Sequence, residues 1–308
     1  MRYSSRFFLF APVCVFLALM AVVSVHWWIV ANALSARLAA ANGHEITPGV
    51  VMRFASRRIS GFPFSLDTVF RDVSFEIATP HGPAVWRSEN FAMHALTYGR
   101  DETIFEAAGK QEFDWMRNGV KRSRPFAVGS LHASAISDKS GLARIDVDLV
   151  GFGSPGFTAQ RLQFHARRDA DDRLDVAVFA DGMRSPANAD PIESLASLHF
   201  EGTMDEAHAF DAALAGSERW YEALDHWREA RGTLHVAAAS YELCGMKLTG
   251  HGDTRLDVSH RLIGLLNSKI IAQSKIEAKH CPPHPIFLDT MESLDTPSIE
   301  LWLLGPLY

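Results

Sequence analysis

The chain has 308 residues, 47% of them hydrophobic and 21% charged, which suits one extended folded domain or two compact ones. Its formal net charge of −6 argues against a nucleic-acid binder, which carries a basic face or stripe. The nearest basic run, Lys121-Arg122-Ser123-Arg124, is short and reads as a solvated loop.

The first element is apolar. Arg2 and Arg6 precede an uncharged stretch from Phe7 to Ala36, rich in Phe, Val, Leu and Ala. About 20 such residues cross a bilayer core, and backbone groups there need internal partners, so a helix is expected. Trp27 and Trp28 lie near its far end, where indole rings favour the membrane–water interface. The arginines stay cytoplasmic and the rest of the chain goes to the far side. The expected order is a cytoplasmic tip (1–6), a transmembrane signal anchor (7–34) and a periplasmic β-rich domain (35–308). Ala31-Asn32-Ala33 has the small-x-small form of a cleavage site, so a removable signal peptide is the competing reading. The apolar run is about twice the roughly 7–15 residues of a signal core, which favours the anchor. Helix is expected to continue outward over Ala33–Asn42.

Beyond the anchor, period-two alternation dominates, the pattern of strands with one apolar and one wet face. Phe64 and Leu66 open one strand, and Val73, Phe75 and Ile77 form its next part. Thr79-Pro80-His81-Gly82-Pro83 turns the chain into Phe91–Leu96. Ile145, Val147 and Leu149 share a face, with Arg144, Asp146 and Asp148 on the other. Leu162 and Phe164 alternate with Arg161, Gln163 and His165, and Leu174 and Val176 with Arg173 and Asp175. Asp169–Asp172 between the last two is a turn cluster, which predicts a hairpin. Later strands are expected at Leu234–Ala238, Met246–Leu248, Leu256–Val258, Leu262–Ile271 and Ile299–Leu304. Helices are expected at Pro191–Leu198, after the N-cap Asp190, and at Ser217–Arg231, where Trp220, Leu224 and Trp227 recur at helical spacing before Gly232. The region Met183–Asp205 interrupts the strand pattern and marks where an internal division would fall. The fold class is therefore mainly β (α+β): a transmembrane helix, then a large curved antiparallel sheet with a few packed helices.

Gly151, Gly153 and Gly156 make G-x-G-x-x-G after an apolar strand. A dinucleotide needs a helix after those glycines, because the pyrophosphate rests on its N-terminus. Phe157–Arg167 alternates with period two instead, so the glycines read as a connection between antiparallel strands and no nucleotide is expected. His280-Cys281-Pro282-Pro283-His284 holds three metal-ligand types, but no second ligand cluster is evident and no metal or other cofactor is expected. His251 and Asp253 supply a general base and partner without an identifiable nucleophile, so no catalytic residue is assigned. Cys14 lies in the apolar segment. Cys244 and Cys281 are available for one disulfide in an oxidising compartment, with two buried thiols as the equal alternative.

Ser60-Gly61-Phe62-Pro63-Phe64-Ser65-Leu66 forms a rigid corner leading into a strand. The anchor, this corner, the strand ending at Val73–Ile77, Trp86, the strand around Phe91–Tyr98, Trp227 before Gly232-Thr233-Leu234, and Gly250–Val258 follow one another in order. In that order the chain resembles the alphaproteobacterial envelope family known as domain of unknown function 2125. It departs at Ala230-Arg231-Gly232, where paired glycines are expected. The resemblance implies an inner-membrane anchored periplasmic protein without an assigned activity. More distantly the pattern is similar to AsmA-like envelope proteins, which are thought to curl a sheet around lipid chains. The expected function is a membrane-tethered periplasmic protein with a groove for lipid or another hydrophobic ligand. Ile145, Val147, Leu149, Leu162, Phe164, Leu174 and Val176 would line that groove or form the core. The alternatives are a non-enzymatic scaffold that docks envelope proteins and, below it, a hydrolase using His251 and Asp253.

Overall fold

A computed structural model of the protein describes residues 5–80, 82–98, 102–117, 119–138, 141–155, 157–169, 171–184, 196–243 and 246–272. Helix α1 (Ser5–Ala41) contains a segment, Phe10–Ala41, long and apolar enough to cross a membrane, with a mean hydropathy of 2.3. Its first part stands clear of the rest of the molecule; from Ala31, which is buried, it lies on the sheet. Trp27 Nε1 donates to the Ser65 carbonyl at 2.8 Å, and Arg57 Nη2 donates to the Ser35 carbonyl at 2.7 Å. Just past its end, the Asn42 amide both donates to the Phe54 carbonyl and accepts from the Phe54 N–H.

One antiparallel sheet holds all fourteen strands. They are β1 (Glu45–Thr47), β2 (Val50–Arg53), β3 (Ser56–Ser60), β4 (Ser65–Ile77), β5 (Ala84–Leu96), β6 (Glu102–Arg117) and β7 (Val120–Asp138). They continue as β8 (Gly141–Ser154), β9 (Phe157–Arg168), β10 (Leu174–Met183), β11 (Ala196–Met204), β12 (Leu234–Leu243), β13 (Met246–Leu256) and β14 (Leu262–Ala272). Spatial order follows chain order, except that β2 and β3 both pair with β4, along its two halves. Among the described residues β1 and β14 do not pair, so the sheet is open. Between β11 and β12 come a 3-10 turn (Ala207–Phe210), α2 (Asp211–Leu214) and α3 (Trp220–Glu229).

The observed elements extend and correct the sequence reading. Leu66 and Val73–Ile77 fall at the two ends of a single run, β4, which Asp72 interrupts with a φ of 50°, and Phe64 lies in the turn before it. Strands β6 and β7 carry weaker alternation and were not expected. Lys121–Arg124 is the start of β7, not a loop, and pairs with Met116–Phe113. Gly151 and Gly153 lie inside β8 rather than between strands, Gly151 with a φ of 67°, and β9 follows without a helix. Ala196–Leu198 belongs to β11, which pairs with both β10 and β12, so the expected helix does not reach these residues. Val258 lies in a turn rather than a strand. The remainder of that expected helix, Cys244, Cys281, His280–His284 and Ile299–Leu304 lie outside the described residues.

Helix α3 covers Trp220–Glu229 of the expected Ser217–Arg231, and its C-terminal cap explains where it stops. Arg231 takes the left-handed conformation, with a φ of 62°. Its N–H bonds the Arg228 carbonyl, and the Gly232 N–H bonds the Trp227 carbonyl at 2.9 Å, the paired bonds of a Schellman cap. Gly232 is required for another reason: a Cβ there would lie 2.1 Å from Trp227 Nε1.

Candidate apolar trough

Residues paired across antiparallel strands project to the same face. One row across the sheet runs Phe70, Phe91, Ala107, Leu131 and Leu149 over β4 to β8. It continues through Leu162, Ala180, Leu198, Tyr241 and Leu248 over β9 to β13. Ten consecutive strands thus place an apolar or aromatic side chain in one line. A parallel row carries Phe105, Ala133, Val147, Phe164, Val178 and Phe200, and a third carries Ala135, Ile145, Ala166 and Val176. Over β8 and β9 the opposite face is polar. There Asp146 lies 2.7 Å from His165 Nδ1, and Arg161 grips Asp148 with two hydrogen bonds.

The apolar face is concave. A Cβ on Gly141, at the start of β8, would lie 3.3 Å from the Ala215 nitrogen. A Cβ on the adjoining Gly216 would lie 3.2 Å from Thr47 Cγ2 in β1. Strands β1 and β8 stand six places apart in the sheet order. On a flat sheet that is roughly 29 Å at about 4.8 Å per strand. One short segment touches both, so the sheet curls around it. The same segment packs on the apolar face: Phe210, Leu224 and Trp227 are buried against Leu234, Val236 and Leu256. Trp227 also donates from Nε1 to the Asp205 carbonyl at 2.7 Å, which satisfies the one polar atom of its ring.

Three buried clusters sit on the sheet. The helical segment covers β11 to β14. At the other end Leu38 of α1 packs on Met52, Phe54, Phe70, Val73 and Phe91. A third gathers Ala159, Ala180, Met183 and Ala196. The seven residues singled out from the sequence lie between these clusters. All seven are half-buried, and among them only Leu162 packs against a buried cluster. Val147 pairs with Phe164, Leu149 with Leu162, and Val176 with Ala166, so strands β8 to β10 bring them together on the concave face. Leu174 falls at the border of the helical segment, opposite Met204.

The other pair weighed from the sequence, His251 and Asp253, stands two residues apart in β13. Asp253 lies 2.8 Å from His235 Nδ1, across the β12–β13 pair, and His251 is exposed opposite Asn267. A cluster invisible in the sequence joins Asp172, Glu206 and His208, whose ligand-type atoms all lie within 4.8 Å of one another. All three are exposed. His208 Nδ1 is 2.7 Å from Asp172 Oδ2, and its backbone N–H donates to Asp172 Oδ1. These bonds tie the 3-10 turn to the β9–β10 turn. The hydrogen bond that Asp172 accepts from the His208 ring raises the His208 pKa above its ordinary value, against a smaller opposing effect of burial. Asp114, 3% exposed, receives Arg87 Nη1 at 2.6 Å and Lys121 Nζ at 2.9 Å. Burial would raise its pKa, but these hydrogen bonds outweigh it and hold the carboxyl down at about 2.

A long apolar helix continued by an open, curled antiparallel sheet with an apolar inner face defines the class of this protein. The chain belongs to the bacterial family described as "Uncharacterized protein conserved in bacteria (DUF2125)", which matches residues 27–271. The match starts at Trp27, so it takes in the part of α1 that packs on the sheet. No curated protein and no solved structure matches the chain.

Proposed function

We propose that the protein is anchored in the inner membrane by α1 and holds lipid, or another hydrophobic ligand, along the concave face of its periplasmic sheet. The observation that carries this reading is the half-buried middle of the apolar face. Burying apolar surface is worth about 25 cal/mol per Å², so a folded chain covers such a face where it can. Here clusters cover the flanks while Ile145, Val147, Leu149 and Phe164 stay half-buried between them. An acyl chain is the complement of a long, unbranched apolar strip beside a bilayer.

Permanent anchoring, rather than a cleaved signal, is supported by the contacts of α1. Cleavage at Ala31–Ala33 would remove Trp27 and its bond to Ser65, and would cut at the buried Ala31. Arg2 and Arg6 ahead of the apolar run favour a cytoplasmic N-terminus and a periplasmic sheet.

The test is extraction of the full chain in mild detergent, followed by mass spectrometry of what accompanies it. Lipid in near-stoichiometric amount is expected. A protein partner captured without lipid would replace this reading with that of an envelope scaffold.

A further inference from the structure

We propose that the corner at Gly61–Phe64, together with Leu96–Tyr98, is a bilayer-insertion surface. It would seat the start of the sheet in the leaflet from which α1 emerges. The inference rests on the reading of α1 as a membrane anchor and adds a second point of contact.

The side chains form one exposed aromatic patch. Phe62, Phe64, Leu96 and Tyr98 are 51%, 57%, 48% and 61% exposed. Single exposed apolar residues are ordinary on a protein surface, but a contiguous group is not. The group is built firmly. Phe64 and Tyr98 meet edge to face at 6.2 Å. The Thr97 N–H and hydroxyl both donate to the Phe64 carbonyl, which ties the two loops together. The Gly61 carbonyl accepts from the N–H groups of Phe64 and Ser65, and a Cβ on Gly61 would lie 2.3 Å from Ser65 Oγ, so the turn is tight. Two rigid loops therefore hold large apolar side chains in water, against their hydration preference.

The position of the patch along α1 names its occupant. Trp27 packs edge to face on Phe62 at 5.6 Å and donates to Ser65 in the same corner. From Arg6 to Trp27 a helix rises roughly 32 Å at about 1.5 Å per residue. The hydrocarbon core of a bilayer is about 30 Å thick. With Arg6 at one surface, Trp27 falls at the other, where aromatic rings concentrate. Phe62 shares that depth because it touches Trp27, and Phe64 and Tyr98 are carried with it. The free segment of α1 ends at this level, and the packed segment begins at Ala31. The partner is thus the lipid leaflet itself.

The test installs the photoreactive amino acid p-benzoylphenylalanine in the full chain, one position at a time, in place of Leu17, Phe64, Val120 or Phe164. Val120 is exposed at the β6–β7 turn, at the end of these strands away from the corner. The protein is reconstituted in phosphatidylethanolamine–phosphatidylglycerol vesicles and irradiated, and lipid adducts are read by mass spectrometry. Adducts are expected at 17 and 64 and none at 120. Adducts at 17 without any at 64, or equal yields at 64 and 120, would overturn the proposal. No adduct at 17 would overturn the anchor and this surface with it. Adducts at 17 and 64 but none at 164 would support the surface while removing the lipid trough.

Discussion

Asp114 is the most constrained charge among the described residues. Its carboxylate is almost fully buried, yet Arg87 and Lys121 reach it from largely solvated stems. Replacing it as Asp114→Asn leaves Lys121 without its counter-charge and Arg87 with Glu112 alone, 3.1 Å away, and is expected to cost about 1–3 kcal/mol. Urea unfolding of both proteins in detergent near neutral pH measures this. The folded pKa of about 2 lies below the unfolded value of about 3.9, so the contribution is present above that unfolded value. It is lost as pH falls through about 2, and the gap between protein and variant narrows over that window. His208 has the opposite sign. Its pKa is raised by Asp172, so its contribution is complete below the unfolded value near 6.5 and fades as pH rises through the folded value. Thermal midpoints at about pH 6 and about pH 8 are expected to show this decline, and His208→Asn to lose it.

Helix α3 shows how one element is fitted to the sheet. Its buried stripe, Ala223, Leu224 and Trp227, lies on the concave face. The glycine after it is fixed by the Trp227 ring rather than by backbone angle, because the left-handed position is taken by Arg231. Gly232→Ala forces the indole to move in a closed core and is expected to cost about 1–3 kcal/mol. Arg231→Gly removes the strain of a side chain at positive φ and is expected to be neutral or to add up to about 1 kcal/mol. Chemical denaturation of the two variants separates these outcomes. The paired glycines expected at this turn from the family resemblance now have a physical role: the first eases the cap, and the second admits the tryptophan.

At the scale of the whole molecule, the curl of the sheet decides which apolar residues are fully buried and which stay half-buried. Phe70 and Phe164 sit on the same face, in neighbouring rows. Phe70 is 1% exposed under its cluster, whereas Phe164 is half-buried and outside every cluster. On the proposed lipid-holding function, Phe164→Asp is therefore expected to keep the fold and to lose whatever lipid accompanies the unaltered chain. Phe70→Asp is expected to lose the fold, since it buries an unpaired charge. Circular dichroism alongside lipid mass spectrometry distinguishes the two. If Phe164→Asp unfolds the protein as Phe70→Asp does, the face is a closed core and the trough does not exist.

The apolar helix and the alternating strands were legible because their information is local. A membrane-length run and a period of two are properties of consecutive residues, and Ile145–Leu149 or Leu162–Phe164 needs no distant partner to declare a face. The sequence also placed Ser60–Leu66 as a corner, from glycine and proline alone. It did not show that Trp27 rests on that corner, or that Asp172 meets Glu206 and His208, because these pairs are joined only through strand order and the helical segment. Strands β6 and β7 escaped notice because the small and polar residues Ala107, Gly109 and Gln111 interrupt the apolar face of β6, and the basic run Lys121–Arg124 opens β7. The residues by themselves determined that this chain is a long apolar helix followed by sheet. Only the tertiary structure decided which way the sheet bends, since curvature arises from contacts such as Gly216 against Thr47, between residues 169 positions apart.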